Sequence, residues 1–182
     1  APSVAVYGAL ARTDTTEAPW FAPAGNNRGR AVDIVNTRVQ YDQANIDALY
    51  NVDINPLHKF QMGGGVVVWG NKTLLAAQSA LDRINVRRLL IDVRRKVKSV
   101  ANALLFEPNR EDTLAAFSAK VNPILQNIQQ NQGITRFRVQ IDTTTTTQAD
   151  VENNTIRGKI FLQPTKSVEF ISLDFEVMNK GA

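Results

Sequence analysis

Apolar residues recur every three to four positions through the middle of the chain. Towards its end they alternate with polar ones. The pattern therefore predicts paired helices followed by strands. Leu90, Val93, Val97, Val100 and Leu104 share one face of a helix from about Arg88 to Leu105. Arg94, Arg95, Lys96 and Lys98 fall mostly on the other side, and Phe106-Glu107-Pro108-Asn109 ends the helix. Asn109 is placed to cap a following helix, and Glu111 and Asp112 suit its positive N-terminal end. That second helix carries Leu114, Phe117, Val121, Leu125 and Ile128 on one face. Pro123 is expected to kink it and Gly133 to stop it.

The flanking regions read differently. Val4-Ala5-Val6-Tyr7-Gly8-Ala9-Leu10 suggests a short strand, followed by a polar loop from Arg12 to Glu17. Pro19 to Asn27 is rich in Pro, Gly and Asn and is expected to be irregular, pinned by Trp20 and Phe21. Val32 to Val39 alternates in part and suggests a strand, and Tyr41 to Tyr50 a short helix. Ile54-Asn55-Pro56-Leu57 reads as an extended segment, because a residue before proline avoids the helical region. Phe60 to Gly65 ends in three glycines, and Val66-Val67-Val68-Trp69 is a β-rich run bounded by glycine, hence a buried strand. In the last third, Phe137 to Ile141 and Ile160 to Leu162 read as strands, the second ending at Pro164. Between them, Thr143 to Asn154 reads as a long exposed loop. Phe170-Ile171-Ser172-Leu173-Asp174-Phe175-Glu176-Val177 alternates most cleanly of all. The sum is an α+β fold, a mixed or antiparallel sheet packed on two central helices.

Composition adds constraints. A chain of 182 residues, 43% of them hydrophobic, can bury a core without staples. It contains no cysteine, which removes disulfides and thiolate metal sites. The net charge of +4 is mild for a nucleic-acid binder. No apolar run approaches the length of a membrane span. The chain opens Ala1-Pro2-Ser3, without an initiator Met, and is expected to be a piece of a longer protein.

The chemistry-bearing candidates are few. Gly65-Val66-Val67-Val68-Trp69-Gly70-Asn71-Lys72-Thr73 superficially resembles a phosphate-binding loop. That loop needs Gly-Lys-Ser/Thr contiguous, and here Asn71 intervenes; the run of valines suits a strand better. His58 stands beside Lys59 with no acid or cysteine cluster, and reads as a turn histidine after Pro56. Acidic residues are scattered, so a two-carboxylate mechanism has no support, and neither an enzymatic activity nor a cofactor is expected. The strongest charge feature is the basic run Arg83, Arg87, Arg88, Arg94, Arg95, Lys96, Lys98, interrupted by the acidic Asp82 and Asp92. It admits three readings: a solvated helix face, a basic surface facing an acidic one on a neighbouring subunit, or a nucleic-acid-binding helix spanning 83–98. The last strand, Phe170 to Val177, is either an internal edge strand or a segment that adds to a sheet edge in another molecule.

Several motifs then resemble, in order, those of contractile phage tail sheath proteins. These are Pro2-Ser3-Val4-Ala5-Val6-Tyr7-Gly8 with Arg12-Thr13-Asp14, Ala22-Pro23-Ala24, Ile54-Asn55-Pro56-Leu57, Gly64-Gly65-Val66-Val67-Val68-Trp69-Gly70-Asn71-Lys72-Thr73-Leu74, Ile84-Asn85-Val86-Arg87-Arg88-Leu89, Phe106-Glu107-Pro108-Asn109, and Pro164 to Phe170. The resemblance implies a structural subunit of a virion tail, assembled in the host cytoplasm. Its partners would be other sheath subunits, in hexameric rings stacked helically, with the tail tube protein, the baseplate and the tail terminator. It implies contraction that drives the tube through a cell envelope for genome ejection, with no nucleotide, no membrane partner and no direct nucleic-acid contact. Residues 1–182 would form one conserved domain, with 168–182 as a linking arm. The intersubunit candidates are Glu169, Phe170, Ile171, Ser172, Leu173, Asp174, Phe175, Glu176 and Val177 in a donated or shared strand, together with Arg87, Arg88, Arg94 and Arg95. The resemblance fixes only Arg87 and Arg88 of those arginines. Without the longer parent, the chain is expected to be monomeric.

Overall fold

The structure, a computed structural model, describes residues 1–32, 34–60, 65–142 and 144–169. The elements run α1 (Pro2–Thr16), α2 (Gly25–Arg28), α3 (Gln43–Asn51), β1 (Leu57–Lys59), β2 (Val66–Val68), a short 3-10 turn (Ala80–Asp82), α4 (Ile84–Asn102), α5 (Glu111–Gln130), β3 (Ile134–Gln140), α6 (Gln148–Glu152) and β4 (Lys159–Pro164). Two antiparallel pairs, β1–β2 and β3–β4, form the sheets. The α+β expectation holds, with the two long helices at its centre.

The core follows from the helical periodicity. Leu89 and Val93 of α4 meet Val121, Leu125 and Ile128 of α5, with Trp20 and Ile134 completing the cluster. Phe137 and Val139 of β3, and Ile160 and Leu162 of β4, pack against it. Phe137 pairs with Leu162 and Val139 with Ile160, so one face of the β3–β4 pair supplies all four apolar side chains. The helix α4 begins at Ile84 rather than near Arg88, and its buried face is centred on Val86, Leu89 and Val93. Leu90 is only half buried.

Four local expectations are corrected. The N-terminal segment is a helix, not a strand with a polar loop. Pro2 suits a first helical turn, and Ala5, Ala9, Leu10, Ala11 and Arg12 are strong helix formers that outweigh Val4, Val6 and Tyr7. The turn spacing buries Ala9 and Thr13 together, with the Thr13 hydroxyl donating to the Ala9 carbonyl at 2.8 Å. Second, the described residues of 32–39 form no strand; Val35 is 84% exposed, so its alternation has no core to face. Third, the polar stretch after Asp142 contains α6. Thr147 and Asp150 close a reciprocal capping box there, and Thr145 and Thr146 are buried. Fourth, Asn109 does not cap α5: its side chain donates to the Thr155 carbonyl at 3.3 Å, and Arg110 occupies the cap position. The α5 helix runs uninterrupted through Pro123, which lies on its exposed side. The final alternating strand, Phe170 to Val177, lies outside the described residues, as do the first two glycines of the run at 63–65.

Candidate intersubunit site

The Gly65–Thr73 motif is built as a structural lock. Val66, Val67 and Val68 are all buried in β2, antiparallel to β1, with Val68 opposite Leu57. The chain then turns at Gly70, where a Cβ would stand 2.3 Å from Asn55 Oδ1. That close approach lets the Asn55 side chain act as a surrogate strand. Its Oδ1 accepts from the Lys72 N–H at 3.0 Å, and its amide donates to the Lys72 carbonyl at 2.8 Å. The Lys72 ammonium donates to the Tyr50 carbonyl at 2.6 Å, pairs with Asp53 at 3.2 Å, and lies 4.3 Å from the centroid of the Tyr50 ring. A lysine so engaged is not poised over an open phosphate cradle. His58 lies in β1 rather than in a turn, edge-on to Phe60 with ring centroids 4.4 Å apart.

From this lock the chain reaches α4 by backbone bonds. Thr73 N–H donates to the Asp82 carbonyl at 2.9 Å, and Ile84 N–H to the Asn71 carbonyl at 2.9 Å. Beneath them, the buried Asn71 amide donates to Asn85 Oδ1 at 2.8 Å, and the Asn85 amide donates to the Trp20 carbonyl at 3.2 Å. Buried side-chain amides need such partners, because an unsatisfied polar group costs about 1–3 kcal/mol.

Here the structure brings one predicted site residue to distant partners. Glu169 accepts from Arg83 Nε at 2.5 Å and from Arg83 Nη2 at 2.9 Å, a two-pronged charge-assisted contact. Its Oε2 also accepts from the Tyr50 hydroxyl at 2.7 Å. Arg83 has a second carboxylate, Asp82, at 3.1 Å. Burial, then the hydrogen bond and charge of Glu169, push the Tyr50 phenol well above its ordinary pKa. The Glu169 hydrogen bond likewise raises Arg83 further above its ordinary value, against a smaller opposing effect of desolvation. A cavity of about 270 Å³ lies alongside, bordered by Ile46, Tyr50, Trp69 and the 167–169 segment.

The arginines of α4 are dispersed. Arg88 turns inward to Asp14 of α1, with its side chain 15% exposed. Arg87 Nε donates to the Leu81 carbonyl at 3.1 Å, and Arg95 pairs with Asp92 at 2.9 Å, as does Lys96 at 2.6 Å. Arg87, Arg94, Arg95 and Lys98 remain exposed, with the exposed Ile91 among them. The candidate strand residues Phe170 to Val177 lie outside the described residues. Tyr50 was missed from sequence, and no local pattern points to it, because 119 residues separate it from Glu169.

Residues 1–74 match the central domain of phage tail sheath proteins, and residues 76–178 match the phage tail sheath C-terminal domain. The chain belongs to the phage tail sheath family. Among its relatives, the tail sheath protein of Vibrio phage KVP40 is 38% identical over 177 residues, 97% of this chain and 26% of that protein. The tail sheath protein of Enterobacteria phage T4 is 34% identical over 97% of this chain and 27% of its own length. The chain thus spans about a quarter of the length of the curated relatives it matches. Among solved structures, a sheath complex of the extracellular contractile injection system PVC, in its contracted state, matches with a TM-score of 0.83 and 26% identity. That match covers 96% of this chain and 50% of the other. A chain of the anti-feeding prophage baseplate shares the fold, with a TM-score of 0.87 at 23% identity over 97% of this chain and 50% of its own.

Proposed function

We propose that this chain is the polymerising part of a contractile tail sheath subunit, which assembles around a tail tube and shortens to drive the tube through a cell envelope. The observation that carries the reading is the agreement of fold over 96% of the chain with a sheath taken from a contracted assembly. The partners in this reading are other sheath subunits in stacked hexameric rings, the tube, the baseplate and the tail terminator. The place of action is a virion tail assembled in the host cytoplasm, and the role is mechanical rather than catalytic.

Two surfaces serve this role. Residues 168–182 are the linking arm, with Phe170 to Val177 adding a strand to a neighbour's sheet edge through backbone hydrogen bonds. The exposed stripe Arg87, Ile91, Arg94, Arg95 and Lys98 meets an acidic surface on a neighbouring subunit. A nucleic-acid role for the same helix draws less support, because the net charge is only +4 and Arg88 and Lys96 already carry carboxylate partners within the chain.

The test is sedimentation velocity with negative-stain imaging of the full-length subunit that carries this chain. Native protein is expected to form tubes or rings. Phe170→Pro or Leu173→Pro, each removing a ladder donor, is expected to abolish them while leaving the circular dichroism of the subunit unchanged. Tubes that persist in both variants refute the arm. DNA binding that falls steeply with salt and survives loss of the arm returns the nucleic-acid reading to first place.

A further inference from the structure

We propose that Glu169 is an anchor for the C-terminal arm: its carboxylate, held by Arg83 and Tyr50, passes tension on the arm into α3 and α4 rather than into the β3–β4 pair. The inference rests on the arm reading above. It starts from how weakly the preceding segment is held. Past Pro164 the chain leaves β4, and from Thr165 to Val168 it adopts no regular structure. Among the described residues, its one backbone hydrogen bond is Thr165 N–H to the Gly133 carbonyl, at 3.2 Å. Val168 is 80% exposed. A pull on the arm, transmitted through the backbone alone, would therefore fall on the end of β4 and peel it from β3.

The Glu169 contacts offer a different route. Arg83 holds the carboxylate through both Nε and Nη2, a fork that fixes direction as well as distance. Tyr50 holds it from the end of α3, across a separation of 119 residues. Arg83 sits at the N-terminal boundary of α4, and Lys72 pairs with it as an antiparallel bridge. Lys72 in turn is tied to Tyr50, Asp53 and Asn55. One carboxylate thus joins the arm root to both family segments, Tyr50 lying in the 1–74 match and Arg83 in the 76–178 match. Glu169 and Arg83 are positioning residues in this scheme; the arm itself makes the intersubunit bonds.

The experiment uses the full chain and limited trypsin digestion, read bond by bond by mass spectrometry. Lys166–Ser167, three residues before the carboxylate, reports opening of the arm root, and the Arg94 and Arg95 bonds inside α4 report opening of the domain. Glu169→Gln is expected to speed cleavage at Lys166 about tenfold, as loss of one charge-assisted contact implies, with the α4 bonds unchanged. Arg83→Lys keeps the charge but not the fork, and is expected to give a smaller increase. Tyr50→Phe is a third, milder variant should either of the others fold poorly. Unchanged cleavage at Lys166 in Glu169→Gln overturns the anchor, and so does cleavage rising in parallel at Lys166 and in α4. The arm reading is tested separately by Leu173→Pro. If that variant blocks assembly while Glu169→Gln leaves Lys166 protected, only the anchor falls. If Leu173→Pro and Phe170→Pro both assemble normally, the arm reading itself falls.

Discussion

Replacing Gly133 by alanine separates two reasons for which a helix end can require glycine. The left-handed conformation that ends α5 belongs to Gln132, at φ 63, and not to Gly133. What Gly133 supplies is space. An added Cβ would stand 2.6 Å from Ile128 Cγ2 and 2.9 Å from Trp20 Cδ2. Neither neighbour can withdraw: Ile128 is fully buried, and the Trp20 indole N–H donates to the Asn131 carbonyl at 2.8 Å. The Gly133 N–H itself donates to the Ile128 carbonyl at 2.9 Å, which fixes the approach. Overpacking of this kind costs about 1–3 kcal/mol. At about 2–4 °C per kcal/mol for a chain of this size, Gly133→Ala should lower Tm by roughly 2–12 °C. The companion change, Gln132→Gly, removes a left-handed side chain and should be neutral or stabilising by about 0.5–1 kcal/mol. Urea and thermal unfolding followed by circular dichroism measure both. A neutral Gly133→Ala beside a destabilised Gln132→Gly would refute the steric account.

The remaining predictions follow from packing and charge. Leu125→Ala, at the fully buried centre of the helix pair, should cost about 2–5 kcal/mol, seen as a lower urea midpoint with unchanged m-value. Lys72→Ala should leave calorimetric nucleotide binding as absent as in the parent while lowering Tm by a few degrees, because the residue ties Tyr50 to Asp53; measurable ATP affinity lost in the variant would contradict the lock. Asp150, held first by the Arg157 side chain and then by the Thr147 hydroxyl and amide, titrates at about 2 rather than its ordinary 3.8. Its folded-state value is depressed, so its stabilisation is complete above about pH 4 and is lost as pH falls through about 2; carboxyl-carbon NMR titration should give the low value, and Arg157→Gln should raise it.

The fold was legible where one periodicity ran long enough to leave no rival. Val93 and Val97 in α4, and Val121, Leu125 and Ile128 in α5, sustain helical spacing over several turns, and the predicted pairing followed. The N-terminal helix was misread because Val4 and Val6 alternate over only two residues, while the decisive burial of Ala9 and Thr13 involves small side chains that carry no strong apolar signal. The threonine run hid α6 for the opposite reason: composition suggested a loop, although Thr147 and Asp150 already stood at capping-box spacing. Of the contacts at the candidate site, the family resemblance pointed only to Glu169, as an arm residue; Arg83 and Tyr50 reach it across 86 and 119 residues, and no window of sequence contains that information.

The indole of Trp20, bonded to a carbonyl 111 residues downstream, also sets an order of events during synthesis. At about 5–20 residues per second, the N-terminal segment leaves the ribosome on the order of ten seconds before its partners in α4, α5 and β3 exist. Until then Trp20 and Phe21 have no core to enter and stay available to other hydrophobic surfaces, including those of nascent copies on the same message. This stretch of chain is therefore most exposed to misassembly before its central helices emerge, and this interval is where chaperone binding should concentrate.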